Sequence, residues 1–96
     1  MIGVVATLKV QDGKQSEFEA VAKDLMAKVN ANEPGCLLYQ LYKEKGSEDT
    51  YIFMERYASS DDLKAHGQTD YFKAAGPSLG ACLAGRPDVK YFDIVE

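Results

Sequence analysis

The first apolar run, residues 2–10 (Ile-Gly-Val-Val-Ala-Thr-Leu-Lys-Val), is rich in β-branched side chains and predicts a strand. Gln11-Asp12-Gly13 reads as a turn, with Asp12 and Gln15 at the spacing of a capping box. From there to about Ala31 the period changes. Phe18, Val21, Ala22, Leu25 and Val29 recur on one helical face, while Glu19/Lys23 and Asp24/Lys28 stand four apart as ion pairs on the other. Asn32-Glu33-Pro34-Gly35 stops the helix, because proline cannot continue it and glycine tolerates the turn. Cys36 to Lys43 and Thr50 to Tyr57 predict two further strands, joined as a hairpin by the polar segment 44–49. Ser59-Ser60-Asp61-Asp62 caps a short helix that runs to about His66. A last helical segment extends from near Asp70 to Ala84, with Gly76-Pro77 expected to kink or break it. Gly85-Arg86-Pro87 ends that segment, and Asp88 to Val95 predicts a fourth strand.

The resulting order, β-α-β-β-α-β over residues 1–96, is the ferredoxin-like α+β pattern of one domain: a four-stranded antiparallel sheet with helices on one face. The strands carry more apolar surface than one helical layer can cover. Leu37, Tyr39 and Leu41 alternate with Leu38 and Tyr42 in the second strand; Tyr51, Phe53 and Tyr57 alternate with Ile52 and Met54 in the third. An uncovered sheet face of this kind is an apolar patch that monomers rarely expose, so a homodimer through that face is expected.

Composition narrows the partners. The net charge of −4 and a pI near 4.9 argue against a nucleic-acid backbone or an anionic membrane surface. Cys36 and Cys82 lie far apart without a Cys-x-x-Cys spacing and read as packed free thiols of a reducing compartment. The N-terminal apolar run has no basic flank, so it reads as a strand rather than a targeting segment, and a cytoplasmic location is expected. The lone His66 has no cluster of ligating neighbours at metal-site spacing. No glycine-rich phosphate loop follows a strand, so no cofactor is implied.

Glu33-Pro34-Gly35-Cys36 before the second strand, Glu55-Arg56-Tyr57 closing the third, and Leu63-Lys64-Ala65-His66 followed by Tyr71-Phe72 together resemble the antibiotic biosynthesis monooxygenase family. The resemblance covers essentially the whole chain. It implies a dimeric α/β barrel and, as one family activity, cofactor-independent oxygenation of a quinol-like or polyketide aromatic. Two positions depart from the family pattern. Many members carry a second histidine where this chain has Tyr71, and often a tryptophan where it has Tyr57. Haem-degrading members place an axial histidine where this chain has Gly76, and they use a tryptophan, which this chain lacks.

An oxidative route without a cofactor needs a base, an apolar pocket for the ring and polar groups to orient its oxygens. His66, whose type has an ordinary pKa of about 6.5, is the candidate base. It shares a helix side with Leu63 and is expected to face the sheet. Glu55 lies on the strand face of Tyr51, Phe53 and Tyr57 and is the candidate to orient one imidazole nitrogen. Tyr51, Phe53, Tyr57, Tyr71, Phe72 and Phe18 are the candidate ligand-contacting aromatics, with Leu25 and Leu79 completing an apolar wall. Two other function classes fit the same residues: an isomerase or processing enzyme for a small oxygenated metabolite, in which His66 shuttles protons without O₂, and a non-catalytic ligand-binding or stress-related dimer. A lone inward histidine is also commonly a satisfied structural residue, and an aromatic strand is commonly core.

Overall fold

In the computed structural model, which describes Met1–Glu96, the chain forms β1 (Ile2–Lys9), α1 (Gln15–Asn32), β2 (Cys36–Lys43), β3 (Thr50–Tyr57), α2 (Ser60–Gly67), α3 (Asp70–Gly80) and β4 (Asp88–Asp93). The strands make one antiparallel sheet in the order β2-β3-β1-β4. This is the expected ferredoxin-like α+β fold, with the second helical region divided into two helices.

Register decides which side chains meet the helices. Val4, Ala6 and Leu8 of β1 pair with Glu55, Phe53 and Tyr51 of β3, and Val4 and Ala6 pair with Tyr91 and Val89 of β4. All of these lie on the helix side because side chains alternate along a strand. Phe18, Ala22, Leu25 and Val29 of α1 are buried against that side, which is the face the helical period predicts. Phe18 stacks on Tyr51 with ring centroids 4.8 Å apart, and both are almost fully buried. The Tyr51 hydroxyl leaves the core at its edge and donates to Glu19 at 2.5 Å.

The opposite side of the sheet carries Val5, Ile52, Met54, Leu38, Tyr42 and Phe92, among which Tyr42, Met54 and Phe92 are exposed. No helix covers them.

Four local expectations change. A bulge between Cys36 and Leu38 shifts the register of β2, so Cys36 pairs with Tyr57 and Leu38 with Arg56. Leu37 is the extra residue and is 52% exposed, instead of sharing the buried face of Tyr39 and Leu41. Asp12 does not cap α1: the N-cap is Lys14, without a side-chain hydrogen bond, and Gln15 donates instead to the Glu48 carbonyl at 3.3 Å. Asp24 pairs with Lys28 at 2.9 Å as the spacing predicts, whereas Glu19 accepts from Tyr51 and makes no ion pair with Lys23. Pro77 does not break α3. The helix runs on to Gly80, and it ends there because the next residues dock on the end of β1, where Ala84 N–H reaches the Lys9 carbonyl and Gln11 N–H the Cys82 carbonyl, both at 2.8 Å. Ser59 caps α2 as expected, accepting from Asp62 N–H at 3.2 Å. Both cysteines are free; Cys82 is fully buried and Cys36 half-buried.

Phe18 fills the junction of α1 and the sheet, so Phe18→Ala leaves a cavity and is expected to lower the unfolding free energy by about 3–5 kcal/mol in urea titrations. A loss below about 1 kcal/mol would place the core elsewhere.

Candidate functional site

The helices do not seal the sheet. Between the sheet and the α2–α3 pair lies a cavity of about 520 Å³. Its sheet wall is made by Val4, Ala6, Tyr39, Phe53 and Glu55, and its helix wall by Leu63, His66, Phe72 and Leu79. Leu25 of α1 and Leu83, anchored by the strand-like bridge to Val10, contribute further apolar surface. Val89 and Tyr91 of β4 border the same space and remain exposed, at 41% and 64%, because no helix reaches over that edge. Lys64 is the only lysine or arginine on the lining.

His66 is 4% exposed, and its ring lies against Phe72, Tyr39 and Tyr57, with centroids 4.6, 5.2 and 5.4 Å away. Its Nδ1 lies 2.9 Å from Glu33 Oε1 and 3.2 Å from Oε2. Glu33 also accepts a hydrogen bond from the Tyr71 hydroxyl. An ionised carboxylate only accepts, so Nδ1 carries the hydrogen and the neutral ring keeps its lone pair on Nε2. Nε2 has no hydrogen-bond partner in the chain, and every fully buried side-chain nitrogen and oxygen has one. Nε2 therefore keeps accessible surface, and the space that this ring lines is the cavity.

The backbone explains how Glu33 reaches the ring. It is the C-cap residue of α1, and Pro34-Gly35 turns the chain into β2. Any side chain at position 35 would collide with Asp62 in the first turn of α2, so glycine lets this loop lie against the helix that bears His66. The Gly35 carbonyl then accepts from Ala58 N–H at 2.9 Å, tying the loop to the end of β3.

The carboxylate on the imidazole is thus Glu33, from a loop, and not Glu55. Glu55 faces the cavity but accepts from the Tyr57 hydroxyl at 2.6 Å. Burial raises the Glu55 carboxyl above the ordinary range, outweighing the hydrogen bond from Tyr57 and the attraction of His66, and Glu33 pushes the same way as burial. Burial likewise raises the Tyr39 and Tyr57 hydroxyls, helped by Glu55, so both remain phenols. The Tyr71 hydroxyl is pushed up to about 12 by burial and by Glu33. Cys36 is pushed up to about 11, chiefly by burial and then by Glu33, and stays a thiol at neutral pH.

The candidate aromatics divide. Phe53 and Phe72 line the cavity. Tyr57 is fully buried behind His66, Phe18 and Tyr51 belong to the core under α1, and Tyr71 lies on the far side of Glu33, beside the surface cleft around Pro34 and Thr69. Tyr39 lines the cavity and touches the imidazole. Its position on the face of the second strand was readable; its closeness to His66 was not. Glu33 stood within the Glu33-Pro34-Gly35-Cys36 motif, which was the available signal. No group of three or more His, Cys, Asp or Glu side chains comes together at a distance suited to a metal ion.

The family pattern of antibiotic biosynthesis monooxygenases matches residues 1–77, and the chain belongs to that family. A crystal structure of a candidate antibiotic biosynthesis monooxygenase from Caulobacter crescentus is 61% identical, covers 99% of this chain and 90% of its own, and superposes with a TM-score of 0.96. YcnE of Bacillus subtilis, a candidate monooxygenase, is 32% identical over 73 residues, 76% of each chain. An uncharacterized protein of Synechocystis is 28% identical over 95 residues, 99% of this chain; the chain spans 64% of that protein's length. No helix is long and apolar enough to cross a membrane.

The raised Glu55 carboxyl has a signed consequence. The folded state holds that proton more tightly than the unfolded chain, so the associated stability is present below the unfolded carboxyl's pKa and is lost as pH rises through the folded one. Glu55→Gln removes this loss. The Tm of the variant minus that of the parent is expected to increase from about pH 4 to about pH 8. A flat or falling difference would mean that Glu55 ionises freely.

Proposed function

We propose that the protein is a cofactor-independent monooxygenase acting on a quinol-like or polyketide aromatic, bound in the cavity between the sheet and α2–α3. One observation carries this reading: an imidazole on the lining of an apolar cavity, held by a carboxylate at Nδ1 and with no partner in the chain at Nε2. Family membership supports oxidoreductase chemistry. The ring of the ligand packs against Phe53, Phe72 and Tyr39, and a ligand hydroxyl gives its proton to His66 Nε2. Glu33 and Tyr71 hold the imidazole in the receiving tautomer and stabilise the imidazolium that forms. The electron-rich phenolate is then the reductant and O₂ the oxidant: a ring C–H bond gives way to a C–O bond, the second oxygen atom leaves as water, and the ring supplies the four electrons and ends as a quinone. Glu55, whose carboxyl is raised by burial, borders the same space and is the polar group nearest to hand for a second ligand oxygen. The apolar wall excludes water and so strengthens these few polar contacts.

The uncovered side of the sheet supports a second element of this reading, a homodimer. Val5, Met54, Ile52 and Phe92 form its apolar centre, and Tyr42 and Met54 are more exposed than a monomer needs. A second copy seated there buries both faces.

Oxygen uptake with naphthalene-1,4-diol as substrate tests the chemistry. His66→Ala is expected to reduce turnover by about 100-fold or more, and Glu33→Gln by less, because glutamine still accepts from Nδ1 but carries no charge. Undiminished turnover in His66→Ala removes the histidine from the mechanism. Conversion of a ligand without oxygen uptake would favour the proton-shuttling isomerase, and binding without conversion would favour a non-catalytic role. For the dimer, sedimentation equilibrium at micromolar concentration is expected to give twice the chain mass of 10.6 kDa. Met54→Lys is expected to shift that mass toward the monomer; a parent that sediments as a monomer contradicts the assignment.

A further inference from the structure

The eight glycines fall into two groups. Four have a reason within the fold. Gly13 and Gly46 adopt φ of +83° and +81°, and a Cβ at Gly35 or Gly3 would meet Asp62 or, at 3.3 Å, Ile94. The other four, Gly67, Gly76, Gly80 and Gly85, have no left-handed backbone, and a Cβ at any of them would meet nothing within 4 Å. Three of these four, Gly67, Gly76 and Gly80, line the cavity.

Gly76 is the most telling, because it sits inside α3 beside Pro77, and glycine is the poorest helix former after proline. Neither a turn nor a neighbouring chain requires it. Gly76 and Gly80 are four residues apart and so share one helical face with Phe72, which also borders the cavity. The sheet wall of the same cavity carries Val4 and Ala6, also short side chains. Gly76 and Gly80 both border the cavity and both leave open space where a Cβ would stand. A volume of about 520 Å³ falls within the range of about 300–1,000 Å³ typical of sites for molecules larger than a single ring.

We propose that Gly76 and Gly80 set the size of ligand the cavity accepts: a flat ligand of more than one fused ring lies over the bare backbone of α3, in the space their side chains would fill. The inference rests on the cavity being the ligand site, as proposed above, but it concerns size selection and not chemistry. A Cβ at either position meets no atom within 4 Å, so a leucine there takes up open space beside the cavity lining. It therefore excludes a large ligand and spares a small one.

Binding is read with two dihydroxylated probes, anthracene-2,6-diol with three fused rings and hydroquinone with one, by NMR shift changes of the single imidazole. The parent, Gly76→Leu, Gly80→Leu and Gly76→Ala are compared with Ala74→Leu, which lies on the other side of α3 beside Val21 and Tyr71. Each cavity-facing leucine is expected to weaken the three-ring probe by about tenfold to a hundredfold relative to the one-ring probe. Ala74→Leu is expected to leave the ratio unchanged. Gly76→Ala, which improves helix propensity and adds one methyl, is expected to raise Tm and to have a smaller effect on the ratio. It also reports on position 76 if the leucine variant does not fold. Equal weakening of both probes, or an unchanged ratio in both leucine variants, overturns size selection by these glycines. If neither probe perturbs His66 in the parent, the cavity itself is not the ligand site, and the proposal falls with that reading.

Discussion

One contact organises the candidate site: the Glu33 carboxylate on His66 Nδ1, at 2.9 Å. A carboxylate accepts and does not donate, so the contact selects one tautomer of the neutral ring and leaves the remaining lone pair on Nε2 of a ring that lines the cavity. Much of the surrounding architecture serves to bring these two residues together. Gly35 lets the loop after α1 press against the start of α2, and the Ser59 cap begins α2 so that His66 falls at its inner face. Tyr71, from α3, adds a hydrogen bond to the same carboxylate. Three helices and a loop thus converge on one imidazole that is almost wholly buried.

The rest of the cavity is consistent with a single polar focus. Its walls are mostly aliphatic and aromatic, and the second carboxylate, Glu55, is raised by burial and occupied by Tyr57. The two acids therefore differ in role by surroundings. Glu33 touches both His66 and Tyr71, whereas Glu55 borders the apolar space directly. Such a division, one acid on the imidazole and another on the apolar space, suits the proposed acid–base chemistry on a ring hydroxyl.

Periodicity made most of the fold legible. The alternation in β3 correctly separates Tyr51, Phe53 and Tyr57 from Ile52 and Met54, and the helical stripe of α1 names Phe18, Ala22, Leu25 and Val29. It misplaces Leu37, because a bulge inserts one residue and alternation cannot see it. The same limit applied to the site. Glu55 was the acid that strand geometry brought near His66 on paper; Glu33 reaches it from a loop, where no period operates, and only its motif marked it. Pro77 was read as a breaker by its chemistry alone, yet packing carries α3 past it to Gly80. The aromatic candidates were chosen by face, and a face contains both core and cavity. Phe18 and Tyr51 lie in the core under α1, whereas Phe53, a member of the same core, and Phe72 also border the gap beneath α2 and α3.

The orientation of the imidazole is the central claim, and a chain with one histidine offers a direct measurement of it. In uniformly ¹⁵N-labelled protein, at a pH where the ring is neutral, long-range ¹H–¹⁵N correlation spectra distinguish the protonated nitrogen from the bare one. A protonated Nδ1 and a bare Nε2 are expected, with the population of this tautomer reduced by Glu33→Ala. A ring protonated at Nε2 in the parent, or a tautomer indifferent to Glu33, would contradict that claim.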